Sequence, residues 1–299
     1  MPVVDVFDDP VRFRATVAEL LARDPVGATM VSGVLDNRIA DPPVGGSSPL
    51  LIAVRDGDGI AVAALRTPGH PLPVTADPEL RDRSAALRTL VAGLLELGAP
   101  VTGLHGRREI VRPLAQAWAD ATGARPEPRL WLLLHRLGRL IEPAAVAGRD
   151  RPFDPHDPAQ VDLLAGWFAR FQQETGVARG PVEPDPDGLR RLVRRGDRFT
   201  LRVLDRDTGT ETGTVVAVAG HSRVRADGGC RIAPVYTPPA WRRRRFGAAV
   251  TVAAVRSAWA AGAAEVTLFT DEDYRPANDL YRSLGFVPIA EFAEIDLPG

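Results

Sequence analysis

The chain has 299 residues, of which 45% are hydrophobic and 25% charged, values typical of a globular protein with two domains. A formal net charge of -1 argues against a nucleic-acid partner and against binding to an anionic membrane surface. All 37 basic residues are arginines and Cys230 is the single cysteine, which excludes Schiff-base lysine enzymes, P-loops, internal disulfides and zinc sites with several cysteines.

The N-terminal residues show no basic segment followed by an apolar run, so the sequence does not predict a signal peptide. No later stretch reaches the length of a membrane span. We therefore expect a cytoplasmic protein without a membrane partner. The histidines at positions 70, 105, 135 and 156 have no partners at metal-ligand spacing, so we expect no metal site.

The first half of the chain alternates helical and strand patterns. Asp9-Pro10 is a typical helix start, and the aspartate-glycine cluster at 56–59 predicts a hairpin turn. The predicted elements are a helix over residues 11–22, a hairpin over 49–65, a helix from Asp77 to Gly98, a strand over 101–104, a helix over 109–122 and a strand over 130–137 that is buried on both faces.

Residues 141–154 contain prolines and a glycine without periodicity, which predicts a linker. The predicted elements after it are helices from Asp157 and over 187–195, a hairpin over 199–219 with its turn at 205–209, a strand over 231–236, a helix over 244–261, a strand over 265–270, a helix over 277–284 and a strand over 286–295. Because this order matches that of the first half, we infer that one α+β unit has been duplicated.

The most informative segment is residues 235–251. A strand ends at Tyr236, two prolines stop it, and a turn with four consecutive arginines leads into a helix whose first turn contains Gly247, Ala248 and Ala249. The free N–H groups at a helix N-terminus attract anions, and small residues allow a phosphate to approach the backbone closely. This pattern predicts a phosphate site.

At these residues the sequence resembles the GNAT superfamily of acyl-CoA-dependent N-acyltransferases, whose signature is Gln/Arg-x-x-Gly-x-Gly/Ala. Arg242 matches its first position and Gly247 its last, whereas Arg245 replaces the middle glycine. Further matches follow in the expected order: Thr237-Pro-Pro, the strand ending at Asp271, and Asn278-x-x-Tyr281-x-x-x-Gly285-Phe286.

The resemblance covers roughly residues 155–297, and the whole chain resembles tandem-GNAT proteins. It implies an α+β fold of two GNAT-like units, each a mixed central sheet flanked by helices. Residues 1–140 would form a degenerate copy without a cofactor loop, because the corresponding slot at 75–84 contains no glycine and is acidic. Residues 155–299 would form the catalytic domain.

The resemblance also implies acetyl-CoA as co-substrate, no metal, and strands that diverge on either side of the arginine helix to admit the pantetheine arm. Tyr281 would protonate the departing thiolate, and a backbone N–H near Val235 or Tyr236 would bind the oxyanion. The cofactor-binding residues are then Val235, Tyr236, Thr237, Arg242, Arg243, Arg244, Arg245, Phe246, Gly247, Ala248 and Asn278.

The chemistry of transfer to an amine requires a neutral amine, an oxyanion donor and a proton for the leaving thiolate. The sequence does not identify the general base; His221, Glu174, Asp271 and a water chain are all candidates. The acceptor is a primary amine on a small molecule or peptide that the sequence does not name, and the oligomeric state is equally open.

Each feature also has a structural interpretation. The arginine run could be a solvated surface or a nucleic-acid binding site. Tyr281 could be a residue of the core, and Asn278 could cap its helix. His221 could lie in a surface loop. Cys230 is expected to be a small buried residue. The alternative function is a non-catalytic module of GNAT fold that binds CoA or a protein partner.

Overall fold

The computed structural model describes residues 1–41, 50–80, 82–204 and 213–297. They form two compact units, of which the first comprises Met1–Leu133 with Ala290–Gly299 and the second comprises Leu134–Ile289. The predicted domain boundary around the 141–154 linker stays a prediction, because the last strand contributes residues to both units and compact units need not coincide with sequence copies.

The first unit follows the order β1 (Val3–Phe7), α1 (Pro10–Arg23), α2 (Thr29–Ala40), β2 (Leu50–Asp56), β3 (Gly59–Arg66), β4 (Leu72–Ala76), α3 (Arg83–Glu96), β5 (Gly103–Arg107), α4 (Arg108–Thr122) and β6 (Glu127–Leu137). The last four residues of β6 belong to the second unit.

The second unit continues with β7 (Arg149–Pro152), α5 (Pro158–Glu174), α6 (Pro186–Arg194), β8 (Arg198–Leu204), β9 (Thr214–His221), β10 (Gly229–Tyr236), α7 (Phe246–Ala260), β11 (Glu265–Asp271), α8 (Arg275–Ser283) and β12 (Phe286–Asp296). A short 3-10 helix, Pro239–Trp241, lies between β10 and α7. Apart from that 3-10 helix, the order βααβββαβαβ occurs twice. This agrees with the predicted repeat of one element order, although β1, α2, β4 and β7 were not among the predicted elements.

Both units contain a mixed sheet. In the first, β1 to β4 are antiparallel neighbours, β4 and β5 are parallel, and the C-terminal part of β12 pairs antiparallel with β5. In the second, β7 to β10 are antiparallel neighbours and β10 and β11 are parallel. Mixed sheets with flanking helices confirm the predicted α+β class.

Each sheet is buried by helices that carry apolar side chains at helical spacing. In the second unit, α7 packs against β8, β9 and β10, and its fully buried Val250, Ala254 and Val255 join Leu268 and Phe286 in one core. Burial on this scale stabilises a domain by roughly 25 cal/mol per Å² of apolar surface. It fixes α7, and therefore the position of its N-terminus.

Several sequence predictions need correction. The helix predicted from Asp77 begins at Arg83, because Asp82 is its N-cap and accepts a hydrogen bond from Ala85 N–H at 2.9 Å. Helix α2 and strands β1 and β4 were not predicted, and β7 lies inside the predicted linker. Strand β6 is buried mainly near its C-terminal end rather than on both faces throughout. The predicted turn at 205–209 lies outside the described residues.

Within the described ranges, no helix combines the length and the apolarity needed to cross a membrane.

Candidate active site

The parallel pairing of β10 with β11 stops before the C-terminal half of either strand. Gly229–Arg231 pairs with Glu265–Thr267, whereas Val235 and Tyr236 retain partners only on β9. A β-bulge between Ile232 and Val235 accompanies the change, and bulges bend a strand and increase its local twist. The two strands therefore diverge toward their C-terminal ends, which leaves the backbone of β10 near Val235 without a strand partner on that side.

The loop after β10 is held by a carboxylate on α5. Glu174 accepts a hydrogen bond from the Tyr236 hydroxyl at 2.9 Å and pairs with the Arg242 guanidinium. Arg242 Nε also donates to the Thr237 carbonyl at 2.9 Å. Burial and the neighbouring Glu174 raise the pKa of Tyr236. The Tyr236 ring packs on Trp167 of α5, so only its backbone faces the diverging strands.

The four arginines of the loop differ in their surroundings. Arg242 pairs with Glu174, and the Arg244 guanidinium lies over the Trp241 ring at 5.0 Å. Arg243 and Arg245 are exposed and have no partner among the described residues. Both also have left-handed backbone, with φ of 63° and 64°. A non-glycine residue in this region costs about 1–2 kcal/mol, so the loop holds two unpaired guanidinium groups at a conformational cost.

Helix α7 begins without a side-chain cap. Its first backbone hydrogen bond runs from Ala249 N–H to the Arg245 carbonyl at 3.1 Å. The N–H groups of Phe246, Gly247 and Ala248 have no acceptor among the described residues. The Phe246 and Ala248 side chains are buried in the core, so these residues offer only their backbone. Three free N–H groups at the positive end of a 15-residue helix are able to bind an anion.

Gly247 is not required by the packing of the protein. A Cβ built there would lie 3.5 Å from Leu280 Cδ1 and 3.6 Å from Thr237 Oγ1, which is ordinary van der Waals contact. The Thr237 hydroxyl is itself buried and has no hydrogen-bond partner in the described part of the chain. A buried polar group without a partner is rare in a folded protein, and here it lies beside the free helix N-terminus.

Tyr281 lies on α8, 9% exposed, with its ring 5.9 Å from that of Phe286 in an edge-on contact. Burial raises the pKa of its hydroxyl above the ordinary value of 10, which keeps the phenol protonated at neutral pH. None of the described residues accepts or donates a hydrogen bond to this hydroxyl. Tyr281 thus presents a buried, protonated hydroxyl that has no partner in the described part of the chain.

Asn278 is occupied by contacts within the protein. Its amide nitrogen lies 2.9 Å from the Asp271 carbonyl, 3.1 Å from that of Glu272 and 3.3 Å from that of Tyr274, and its oxygen accepts from the Thr270 hydroxyl at 2.6 Å. It therefore fastens the loop between β11 and α8. Direct contact of Asn278 with a cofactor stays a prediction, and these contacts favour the structural alternative.

None of the candidate general bases stands out. His221 is 1% exposed, and its Nδ1 and Nε2 lie 2.9 Å from the Ser222 carbonyl and the Ser257 hydroxyl. Its predicted place in a surface loop is wrong, because β9 extends to it and α7 covers it. Burial lowers its pKa. Glu174 is occupied by the loop contacts, so the identity of the base stays open.

Cys230 is buried as expected, and burial raises the pKa of its thiol to about 11. The sequence analysis missed the role of Glu174 as the anchor of the arginine loop and the contact of His135 with Thr270. The partners of Glu174, Tyr236 and Arg242, lie 62 and 68 residues away in the sequence. No local pattern could therefore have indicated these contacts.

Comparisons with known proteins agree with this geometry. Residues 167–286 match the model of the Acetyltransferase (GNAT) family. A mycothiol acetyltransferase from Nocardioides sp. is 27% identical over 292 residues, which cover 88% of this chain and 95% of that protein.

Among solved structures, a tandem GNAT protein from the clavulanic acid biosynthesis pathway is 15% identical, with 98% of both chains covered and a TM-score of 0.60. A GCN5-related N-acetyltransferase from Kribbella flavida is 23% identical, with 92% of this chain and 96% of that chain covered and a TM-score of 0.54. At these identities the solved structures establish the fold.

Proposed function

Because the chain is an acyltransferase of the GNAT family with a tandem architecture, we propose that it transfers the acetyl group of acetyl-CoA to a primary amine on a small molecule or peptide. In this proposal the reaction takes place in the second unit, and the first is a degenerate copy without a cofactor loop.

The observation that carries the proposal is the open N-terminus of α7. The free N–H groups of Phe246, Gly247 and Ala248 and the unpaired guanidinium groups of Arg243 and Arg245 provide both the hydrogen-bond donors and the positive charge that a pyrophosphate needs. Each charge-assisted hydrogen bond would contribute about 1.5–3 kcal/mol. The residues present therefore fit the phosphates of acetyl-CoA.

The divergence of β10 from β11 supports the rest of the site. A backbone N–H near Val235 or Tyr236 that is not used in strand pairing can donate to the carbonyl oxygen as it gains negative charge. The neighbouring Thr237 hydroxyl adds a buried donor without a protein partner. Acetyl-CoA supplies the activated thioester when bound, and these groups would orient and polarise it.

Tyr281 would deliver the proton that the departing thiolate needs. Burial raises its pKa, so the phenol is protonated at neutral pH and its proton is available to the thiolate, as the role of general acid requires. The amine attacks directly in this scheme, without an acyl-enzyme intermediate, and the Cys230 thiol is too deeply buried to act as a nucleophile.

Calorimetric titration with acetyl-CoA tests the binding step, with Gly247→Glu as the control that places a carboxylate against the phosphates. We expect saturable binding by the natural sequence and none by the variant. Absence of binding by the natural sequence would overturn the proposal.

Thiol release from acetyl-CoA over a panel of amines tests turnover, and mass spectrometry of the product identifies the acceptor. The panel includes sugar-linked and peptide amines and the acceptor used by the mycothiol acetyltransferase relative. In this assay Tyr281→Phe should lower kcat at least several-fold with little change in KM for acetyl-CoA. Unchanged kcat would remove Tyr281 from the acid role.

A second candidate is a non-catalytic module that binds CoA or a protein partner. It is favoured by Arg245 in place of the signature glycine and by the protein contacts of His221 and Glu174, which occupy two of the candidate bases. A module that binds CoA predicts acetyl-CoA binding in the calorimeter but no thiol release with any amine, and a module that binds only a protein partner predicts neither. The two assays together therefore separate the functions.

A further inference from the structure

A buried histidine lies behind the helix that carries Tyr281. His135, near the end of β6, is fully buried, and its Nε2 lies 3.1 Å from the Thr270 hydroxyl of β11. Thr270 in turn lies 2.6 Å from Asn278 Oδ1 on α8. These three residues are each at least nine-tenths buried, and all belong to the second unit.

His135, Thr270 and Asn278 thus form a row of two hydrogen bonds. The direction of each hydrogen bond in this row follows from the contacts of Asn278, at its end. The Asn278 nitrogen faces three backbone carbonyls, so its oxygen must be the atom that faces Thr270, and the Thr270 hydroxyl must donate to it. The Thr270 oxygen is then left to accept, and His135 Nε2 must donate. Burial lowers the pKa of His135, so the histidine is held as the neutral Nε2–H tautomer, and its Nδ1 has no partner among the described residues.

The row ends on the turn that fixes α8. Asn278 joins the loop at Asp271–Tyr274 to the first turns of a helix of only nine residues, and Tyr281 follows Asn278 by three positions, on the same face. A helix this short owes its position to such contacts rather than to its own stability. A displacement of α8 would move the Tyr281 hydroxyl with it.

We propose that His135, through Thr270 and Asn278, is a positioning residue that holds α8 so that Tyr281 points its hydroxyl at the leaving sulfur. The inference rests on the proposed acid role of Tyr281. It also assigns a function to the end of β6, the closing strand of the first sequence copy, inside the second unit.

The test is a double-variant cycle measured by thiol release at saturating acetyl-CoA and amine. His135→Leu removes the donor and should lower kcat about tenfold while KM for acetyl-CoA stays within about twofold, because misplacement of a catalytic group affects turnover rather than cofactor binding. His135→Gln keeps an N–H donor near the Nε2 position and should restore most of kcat. In a Tyr281→Phe background, His135→Leu should cause no further loss.

Circular dichroism and the calorimetric affinity for acetyl-CoA establish that each variant is folded. Should His135→Leu fail to fold, Thr270 offers a second pair of variants. Thr270→Val breaks the hydrogen bonds between His135 and Asn278 and should lower kcat as His135→Leu does, whereas Thr270→Ser keeps the hydroxyl and should retain most of kcat. Unchanged kcat, failure of glutamine to restore it, or losses that multiply in the double variant would overturn the positioning role alone. If Tyr281→Phe itself does not lower kcat, the acid role fails and the positioning role fails with it.

Discussion

Replacement of Gly247 by alanine should make the protein more stable and lower its affinity for acetyl-CoA. Gly247 is the second residue of α7, its φ is not positive, and an added Cβ would meet only Leu280 and Thr237 at 3.5 and 3.6 Å. Alanine in a helix is favoured over glycine by about 0.5–1 kcal/mol. For a domain of this size the gain corresponds to a rise in Tm of about 1–4 °C.

The binding effect has the opposite sign. The signature accepts glycine or alanine at this position, but in this chain Leu280 and Thr237 already border it. An added methyl group therefore narrows the space through which a phosphate would reach the N–H groups of the first turn. Loss of one charge-assisted hydrogen bond costs about 1.5–3 kcal/mol, which weakens Kd about tenfold to a hundredfold. Titration calorimetry measures Kd, and thermal and urea unfolding without ligand measure the free energy of unfolding.

Gly33→Ala is the matched control. Gly33 lies inside α2 of the first unit, and a Cβ there would meet nothing within 4 Å. We expect it to raise stability by a similar amount and to leave Kd unchanged. An alanine at Gly247 that stabilises the protein but binds acetyl-CoA within twofold of the natural sequence would refute the argument that this backbone faces the ligand. A destabilised variant would refute the packing argument.

Arg245→Gly should raise the free energy of unfolding by about 1 kcal/mol, because it relieves a left-handed backbone. It should also weaken acetyl-CoA binding, and tighter binding would show that the side chain obstructs the site. The free energy of unfolding should fall as the pH is lowered from 7.5 to 5.5. Burial lowers the pKa of His135 and His221, so below about pH 6.5 the unfolded chain binds protons that the folded chain does not. Urea unfolding of the natural sequence and of a variant with glutamine at both positions measures this, and an equal dependence of the unfolding free energy on pH in the two proteins would contradict it. Cys230, with a pKa of about 11, should not react with Ellman's reagent at pH 8 until urea unfolds the protein; rapid labelling of the native protein would contradict its burial.

Local signals in the sequence predicted most elements well. Asp9-Pro10 and Asp157-Pro158 start α1 and α5, and both aspartates accept hydrogen bonds from the first turn. Two aspartates, Asp77 and Asp82, are candidates for the N-cap of α3, and the sequence does not distinguish them. In the structure Asp77 pairs with Arg23 of α1 and Asp82 is the N-cap. A choice that depends on a partner 54 residues away is not readable from local sequence.

Helix α2 shows a second limit. It has no side-chain cap, contains Gly33, and buries Val31 and Leu35 by tertiary packing, so its helical state comes from contacts rather than from propensity or pattern. At the site, the arginine loop and the small residues of α7 were readable because they are contiguous. The left-handed backbone of Arg243 and Arg245 was not, because nothing in an arginine side chain favours it.

The two copies differ at the helix that follows their fourth strand. In the first unit, the Asp82 carboxylate occupies the N-terminus of α3, and the ends of β4 and β5 line a small cavity together with the Asp24–Arg107 ion pair. A phosphate there would have to displace a carboxylate of the same charge.

In the second unit, the equivalent helix α7 has no cap, and the adjacent loop holds unpaired arginines in place of aspartates. An uncapped helix end costs about 1 kcal/mol relative to a capped one, and two left-handed arginines add to that cost. Helices α2, α4 and α8 also begin without a side-chain cap, so the feature that distinguishes α7 is an uncapped N-terminus beside two left-handed arginines. That the second copy keeps the costly arrangement while the first does not supports the proposal that acetyl-CoA binds to the second copy.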